Sequence, residues 1–185
     1  MSRQFWSETL AWSTADGTAI ANTTTETIIF PNLTIPANFL QDGRTLRIKA
    51  WGKYSTTGTP TLTFALRFGG VAGTILCQSP AITGVSTGTN AIWSLEIMLT
   101  VRVNGSSGSV FAVGEVVLGS ATAPTVGSAT GAPAVVHMSS AGQTAPAAVT
   151  VDLTADTALS ITGKWSAASA SNTLTGHNYY IEALN

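Results

Sequence analysis

The sequence predicts an all-β fold: an antiparallel two-sheet sandwich that is jelly-roll-like and has an extended N-terminal arm. Apolar and polar residues alternate with a period of two along most of the 185 residues, which is typical of half-buried strands. No window of about 11–18 residues carries the apolar stripe of a helix. About eight to ten strand-like segments favour two packed sheets. The single cysteine does not provide the cysteine pair of an immunoglobulin sandwich, although that signature is not universal, and we favour the jelly roll.

The first quarter of the chain predicts an arm followed by the first strands of the domain. Residues 1–25 are assigned to an N-terminal arm that contains a short strand over 4–12, and residues 26–185 to a single domain. The segment 26–30 predicts another strand. Pro31 and Pro36 then predict a loop or a short helical turn, because proline interrupts both ladders and helices.

The middle of the chain predicts two hairpins. Segments 45–54 and 60–68 alternate cleanly on either side of a tip rich in Ser, Thr, Gly and Pro, which predicts that they pair with each other. Segment 92–104 alternates over its whole length and returns as 110–119 after the turn sequence NGSSGS. Gly and Asn tolerate the positive φ angles of such a turn, so this second hairpin is also expected.

The last third of the chain predicts a long excursion and then three strands. Residues 120–148 contain almost only small residues and proline, and within them AVVHM could pair as an edge strand. We expect a surface segment ordered mainly by its neighbours, since loops of this length are usually functional or mobile. Segments 147–153, 158–165 and 173–183 complete the set of strands, with Leu174, Gly176, Asn178 and Tyr180 expected on one side of the last one.

The composition favours a subunit that packs against other proteins. Charged residues make up 9% of the chain, against about 25% in an average soluble domain. Thr, Ser, Ala and Gly together supply about half of the residues. A surface of this kind has few charges to oppose self-association. The net charge of −1 gives no electrostatic reason to expect binding to nucleic acid or to an anionic membrane.

Neither a membrane span nor a secretory leader is expected. No stretch approaches the roughly 20 apolar residues of a membrane span, and residues 1–12 lack the apolar core of a signal peptide. We therefore expect a soluble protein that is made in a cytoplasm.

The titratable residues form no recognisable catalytic motif. Glu96 and Glu115 lie in the two strands of the second hairpin, where paired carboxylates would be the one arrangement that suits glycoside hydrolysis. Neither His137 nor His177 has zinc-ligand spacing, and Cys77 lies in an apolar run that predicts a buried thiol. The sequence DLTAD, with Asp152 and Asp156 at its ends, predicts a turn rather than a calcium loop. We expect no enzyme activity, no cofactor and no metal site.

The aromatic residues suggest where a partner would bind. Phe5, Trp6 and Trp12 lie in the predicted arm, and we expect this arm to anchor the subunit. Trp51 shares one side of its strand with Arg47, Lys49 and Lys53, a pattern that fits a solvated or subunit-facing surface. The expected interface residues are therefore Phe5, Trp6, Trp12 and Trp51.

Two segments resemble small structural proteins of tailed bacteriophages. They are GRTLRIKAWGKYSTTGTPTLTFALRFGGVAGTILCQ and WSLEIMLTVRVNGSSGSVFAVGEV, in which amphipathic strands flank tips of Ser, Thr, Gly and Pro. The resemblance implies a virion component with a jelly-roll fold that assembles as a homotrimer. It implies no catalytic residues, because such proteins act by packing.

These observations lead to one expected function and two alternatives. The expected function is a capsid decoration or cement protein on the capsid surface of a virion, which contacts its own copies and the major capsid protein or other virion proteins. The first alternative is the tip of a tail fibre, head fibre or spike that binds a host-surface glycan. The second is a polysaccharide hydrolase that depends on Glu96 and Glu115.

Overall fold

A computed structural model of the chain describes residues 7–84, 87–120, 133–140 and 146–184. Its regular elements are fourteen strands. They are β1 (Glu8–Trp12), β2 (Ile20–Ala21), β3 (Thr27–Ile28), β4 (Leu33–Ile35), β5 (Thr45–Thr57), β6 (Thr61–Phe68), β7 (Thr74–Gln78), β8 (Ile82–Thr83), β9 (Thr87–Val103), β10 (Gly108–Leu118), β11 (Ala134–Ser139), β12 (Val149–Val151), β13 (Thr157–Trp165) and β14 (Thr173–Ala183). Among these residues there is no helix whose length and apolarity would suffice to cross a membrane.

All the strands belong to one hydrogen-bonded antiparallel sheet. The order along its main path is β1-β14-β5-β9-β10-β11-β7-β6-β13-β3, and β2, β4, β8 and β12 pair to the side of this path. The predicted all-β, antiparallel architecture is confirmed. The predicted division into two separate sheets is not confirmed, because β11 pairs with both β10 and β7 and so joins the two halves of the path.

The sheet folds back so that its two halves enclose the core. The Phe64 ring on β6 lies 5.1 Å from the Trp93 ring on β9, centroid to centroid. Phe30, beyond β3, lies 6.4 Å from Trp93 and 4.6 Å from Tyr179 on β14. Aromatic pairs at these separations contribute attraction beyond the area that they bury. The core therefore lies between the β14-β5-β9-β10 half and the β7-β6-β13 half.

The alternation read from the sequence correctly identifies most core residues. Leu46, Ile48 and Ala50 of β5 are fully buried, as are the inward residues of β6 and β9. Pleating sends successive side chains to opposite faces, so one apolar residue in two is enough to fill the core. Val103 is an exception: its place in the alternation predicts an inward side chain, but it is 52% exposed, because β9 reaches its end there.

The predicted hairpin between β5 and β6 is wrong. β5 pairs with β9 and β14, whereas β6 pairs with β7, β8 and β13. The connection through Gly58, whose φ is 68°, passes from one half of the sheet to the other. Alternation fixes which face of a strand is buried but carries no information about its partner, and both arrangements bury the same side chains.

The hairpin of β9 and β10 is confirmed. The two strands pair from Val103 opposite Ser109 to Trp93 opposite Leu118. At the turn, the Gly108 amide donates to the Gly105 carbonyl at 3.1 Å, and Gly105 has a φ of 100°. That φ lies in the region that glycine adopts without steric cost.

A bulge at His177 changes the face assignment of β14. The register shifts between Gly176 and Asn178, and an extra residue of this kind reverses the sidedness of the rest of the strand. Leu174 and Gly176 are buried, but after the bulge the buried residues are Tyr179, Ile181 and Ala183. The expectation that Leu174, Gly176, Asn178 and Tyr180 share one side is therefore wrong.

The described part of the predicted arm belongs to the sheet. Both β1 and β2 pair with β14, and Ile20 is 3% exposed within the core.

In the predicted excursion, β11 forms a strand as expected for AVVHM, but it pairs on both sides rather than at an edge. In the region with two prolines, β4 forms a short strand against β13 instead of a helical turn. Residues 121–132 and 141–145 lie outside the described residues.

Candidate functional site

The most distinctive surface is the solvent side of β14, β5, β9, β10 and β11, which we name the outer face. Tyr180, Lys49, Glu96, Glu115 and His137 lie opposite one another on these five neighbouring strands. Directly opposed residues in a sheet project from the same face. We name this set the polar row; it crosses four strand spacings of about 4.8 Å, or about 19 Å in all.

The polar row contains both carboxylates that the sequence singled out. Glu96 and Glu115 are directly opposed in the β9–β10 ladder, so the sheet brings them together as expected. The Lys49 Nζ atom lies 3.0 Å from one carboxylate oxygen of Glu96, and the Arg47 Nε atom lies 3.7 Å from the other. Two opposed carboxylates repel each other, and the two cations on β5 offset that repulsion.

The two carboxylates are open to solvent. The Glu96 side chain is 41% exposed, and Glu115 is also exposed. The oxygen atoms of both carboxyl groups are therefore accessible to the hydroxyl groups of a ligand.

An aromatic cluster lies at one end of the polar row. The Trp51 and Tyr180 rings are 5.8 Å apart, centroid to centroid, and inclined at 39°. Trp12 on β1 lies opposite Tyr180 and is 62% exposed. We name these three residues the aromatic edge. Tyr180 projects outward whereas its neighbour Tyr179 is buried against Phe30, which is the opposed arrangement that adjacent strand residues must adopt.

Of the four residues expected at an interface, the structure describes two. Trp12 is exposed, and Trp51 is half-buried on the outer face. Phe5 and Trp6 lie outside the described residues. Of the three basic residues on the same side of β5 as Trp51, Arg47 and Lys49 both contact the Glu96 carboxylate.

Two depressions lie on either side of the carboxylate pair. The larger encloses about 550 Å³, and the residues around it include Glu96, Met98, Val113, Glu115 and His137. The smaller encloses about 120 Å³ between Lys49, Trp51 and the same two carboxylates. We name the two together the outer groove. Its lining combines apolar, aromatic and hydrogen-bonding groups, as ligand sites generally do.

Cys77 and His177 lie outside the outer face in structural surroundings. Burial raises the pKa of Cys77 to about 12, so at neutral pH this residue is a thiol rather than a nucleophilic thiolate. The His177 Nδ1 atom lies 2.8 Å from an oxygen of Asp16 and joins the N-terminal segment to the bulge of β14.

The sequence DLTAD forms the expected turn. Asp152 accepts hydrogen bonds from the hydroxyl and the backbone amide of Thr154, and both lower the pKa of Asp152. Asp156 accepts a bond from the Ala37 amide. Among the described residues, no group of three or more His, Cys, Asp and Glu side chains has an arrangement that suits a metal ion.

Sequence reasoning missed a second polar depression on the opposite half of the sheet. It encloses about 590 Å³ and is lined by residues that include Glu26, Thr63, Arg67, Gln78 and Lys164. A two-pronged ion pair joins Arg67 to Glu26, with N–O distances of 2.5 and 2.6 Å. The two residues are 41 positions apart, and nothing in the spacing indicated that they meet.

Comparison with known proteins found no relative of the chain. No protein-family model, no curated protein and no solved structure matches the chain.

Proposed function

We propose that the chain is a structural subunit of a bacteriophage virion, a capsid decoration or cement protein that reinforces the head shell by packing against other subunits. The weakly charged composition, with 9% charged residues, supports this role because little electrostatic repulsion opposes association. The resemblance of the two quoted segments to phage structural proteins points to the same class. The fold is proposed to be jelly-roll-like, with two layers that β11 joins.

The observation that carries the proposal is the free edge of β1. Within the described residues, β1 pairs with β14 alone and forms one end of the main path. An edge strand presents unpaired N–H and C=O groups that can accept a strand from another chain. Trp12, at the end of β1, is 62% exposed, and a large exposed aromatic residue beside an open edge is suited to an interface.

The proposed partners are further copies of the chain, as a homotrimer, and the major capsid protein. Each contact would bury the β1 edge with Trp12, and residues 1–6 would extend that contact. At about 25 cal/mol per Å² of apolar area, even a few hundred Å² is significant when the contact recurs over a shell.

The anchoring role can be tested with a short truncation. Removing residues 1–25 would also delete β2 and the buried Ile20, so loss of binding would be confounded with loss of folding. Removal of residues 1–6 together with Trp12→Ala leaves β2 and Ile20 in place and changes no residue of the described core. Val71→Ala, at another exposed apolar residue, is the matched control.

The assay is rebinding to particles. Virions from the source of the chain are stripped of it, incubated with each variant and sedimented. We expect the truncated Trp12→Ala protein to rebind at least tenfold less than the control, with an unchanged Tm. Equal rebinding of the two variants would show that the N-terminal edge is not the anchor.

Copy number separates decoration from the tip of a fibre or spike. Quantitative mass spectrometry of purified virions should find hundreds of copies per particle if the chain decorates the head. A few copies would favour the fibre, and complete absence would refute the virion assignment. Light scattering in solution tests the homotrimer, and a stable monomer at micromolar concentration would count against it.

A further inference from the structure

The outer groove and the aromatic edge together have the features of a ligand site that packing between subunits does not require. Trp51 and Tyr180 form a ring pair at 5.8 Å, and Trp51 also lines the smaller depression together with Lys49, Glu96 and Glu115. The larger depression continues from the same carboxylates to His137. We propose that the outer groove binds an uncharged oligosaccharide, with one sugar ring on Trp51 and Tyr180 and the next ones over Glu96 and Glu115.

The aromatic pair supplies the apolar half of the recognition. A pyranose ring presents C–H groups on its faces and hydroxyl groups around its rim. Aromatic side chains offer a large rigid apolar surface of matching size. The inclination of 39° between Trp51 and Tyr180 makes a bent shelf rather than a flat one, which would set the direction in which the bound chain leaves the shelf.

The polar row supplies hydrogen bonds to the hydroxyl groups. Ionised carboxylates accept up to four hydrogen bonds each, and the Lys49 ammonium group donates three. Hydrogen bonds with an ionised partner are stronger than those between neutral groups. Because only part of this capacity is used in the contacts of Glu96 with Lys49 and Arg47, the remaining lone pairs can accept from a polyol.

The balance of charge favours an uncharged ligand. Lys49, Glu96 and Glu115 line the outer groove, and Arg47, just outside it, lies 3.7 Å from Glu96, so charges of both signs lie side by side at its centre. An anionic ligand would be placed against two carboxylates, and a strongly cationic one against Arg47 and Lys49. A neutral polyol encounters neither repulsion.

The dimensions indicate a chain of sugars rather than a monosaccharide. From Tyr180 to His137 the polar row covers about 19 Å, from four strand spacings. The two depressions, of about 120 and 550 Å³, meet at Glu96 and Glu115, and one reaches Trp51 whereas the other reaches His137. An oligosaccharide would therefore cross the strands and contact the aromatic edge and His137 at the same time.

Glycan binding by the outer groove is independent of where the chain lies in a virion. Binding of a glycan by the outer groove is compatible with decoration of a head or with the tip of a fibre. Failure of particle rebinding would leave the glycan site standing, and failure of glycan binding would leave the proposed anchor at β1 standing.

The test uses the full chain and defined probes. Hexasaccharides of glucose, galactose, mannose and N-acetylglucosamine are titrated while tryptophan fluorescence is recorded, and calorimetry confirms any response. We expect saturable binding of at least one probe, with Trp51→Ala weakening it at least tenfold. The double variant Glu96→Gln/Glu115→Gln should weaken it several-fold, because it removes charge-assisted hydrogen bonds but keeps the shape.

Control variants separate loss of the site from loss of the fold. Lys164→Ala, in the second polar depression, should leave binding unchanged. Glu115→Gln serves as a mild second variant if Trp51→Ala lowers the Tm. Absence of binding to all four probes, or equal binding by Trp51→Ala and the parent protein, would overturn the proposal.

Two further outcomes would redirect the assignment. Release of new reducing ends, abolished by Glu96→Gln or Glu115→Gln, would make the site hydrolytic and overturn a role limited to binding. A change in oligomeric state in Trp51→Ala, without any glycan response in the parent protein, would instead assign the outer face to contacts between subunits.

Discussion

Loss of the Glu26 carboxylate should destabilise the protein more than loss of any exposed carboxylate. Glu26 accepts hydrogen bonds from the Nε and Nη2 atoms of Arg67 at 2.5 and 2.6 Å, and from the Thr162 hydroxyl at 2.5 Å. These contacts join the segment before β3 to β6 and β13. The Glu26→Gln substitution keeps the shape of the side chain but leaves the Arg67 cation without its counter-charge.

The magnitude depends on the burial of the pair. Breaking a fully buried ion pair by removing one partner costs about 3–5 kcal/mol. The Arg67 and Glu26 side chains retain 15% and 19% exposure, so water compensates part of the loss and we expect about 2–3 kcal/mol. For a chain of this length that corresponds to a fall in Tm of about 4–12 °C.

The pH dependence of the stability provides a second test of the contact between Glu26 and Arg67. Burial alone would raise the pKa of Glu26, but the hydrogen bonds from Arg67 and Thr162 and the charges of Arg67 and Lys164 together lower it below its usual 4.5. A carboxyl group with a lowered pKa stabilises the fold above pH 4.5, and that contribution is lost as the pH falls through the folded-state pKa. The difference in the free energy of unfolding between the parent protein and the Glu26→Gln variant should therefore become smaller below pH 4.5.

The assay is urea unfolding followed by tryptophan fluorescence at pH 7 and at steps down to pH 3. Glu115→Gln, an exposed carboxylate on the outer face, is the matched control and should change the free energy of unfolding by less than about 0.5 kcal/mol. A Glu26→Gln protein as stable as this control at pH 7 would refute the reasoning. A difference in the free energy of unfolding between the parent protein and Glu26→Gln that stays constant from pH 7 to pH 3 would also refute it.

Three further predictions concern the core and its boundaries. Trp93→Ala should lower the free energy of unfolding by about 3–5 kcal/mol in a urea titration. The reason is that Trp93 is fully buried and contacts Phe64 and Phe30 from the facing half of the sheet. A loss below about 1 kcal/mol would contradict the folded-back sheet. Cys77 should react with a thiol reagent only after unfolding, because it is 0% exposed and its pKa is raised to about 12; rapid reaction of the native protein would contradict its burial. Gly176→Ala should lower the Tm in thermal unfolding, because a Cβ at Gly176 would overlap the Phe30 ring and the Ile29 side chain; an unchanged Tm would contradict this close approach.

Local patterns in the sequence are sufficient to predict where most strands lie and which side of each is buried. The segment predicted as a strand over 173–183 has the same bounds in β14, and the β9–β10 hairpin forms around the predicted turn. Both predictions depend on neighbours in the chain: a period of two marks a pleated strand, and Gly105 permits a tight reversal.

Pairing between distant strands is not accessible to the same reasoning. β5 and β6 are joined by a short tip and have matching alternation, yet they lie in opposite halves of the sheet. A two-strand hairpin and a crossing connection bury the same residues, and the choice depends on contacts with β9, β13 and β14. The bulge at His177 is equally invisible in the sequence, because one inserted residue changes the sidedness without changing the composition.

The candidate site is predicted only in part. The proximity of Glu96 and Glu115 is a consequence of the hairpin, and the surface position of Trp51 is indicated by its charged neighbours. Tyr180 and His137 join the same row only because β14 pairs with β5 and β11 pairs with β10. Those pairings bring together residues from distant parts of the chain, and no local pattern records them.

The most direct measurement of the proposed role is electron cryomicroscopy of the purified particle from which the chain comes. We expect many copies on the outer surface of the head, each with Trp12 and the open edge of β1 covered by a neighbouring protein chain. A particle that lacks the chain, or one in which the β1 edge and Trp12 face solvent while another surface makes the contacts, would contradict it.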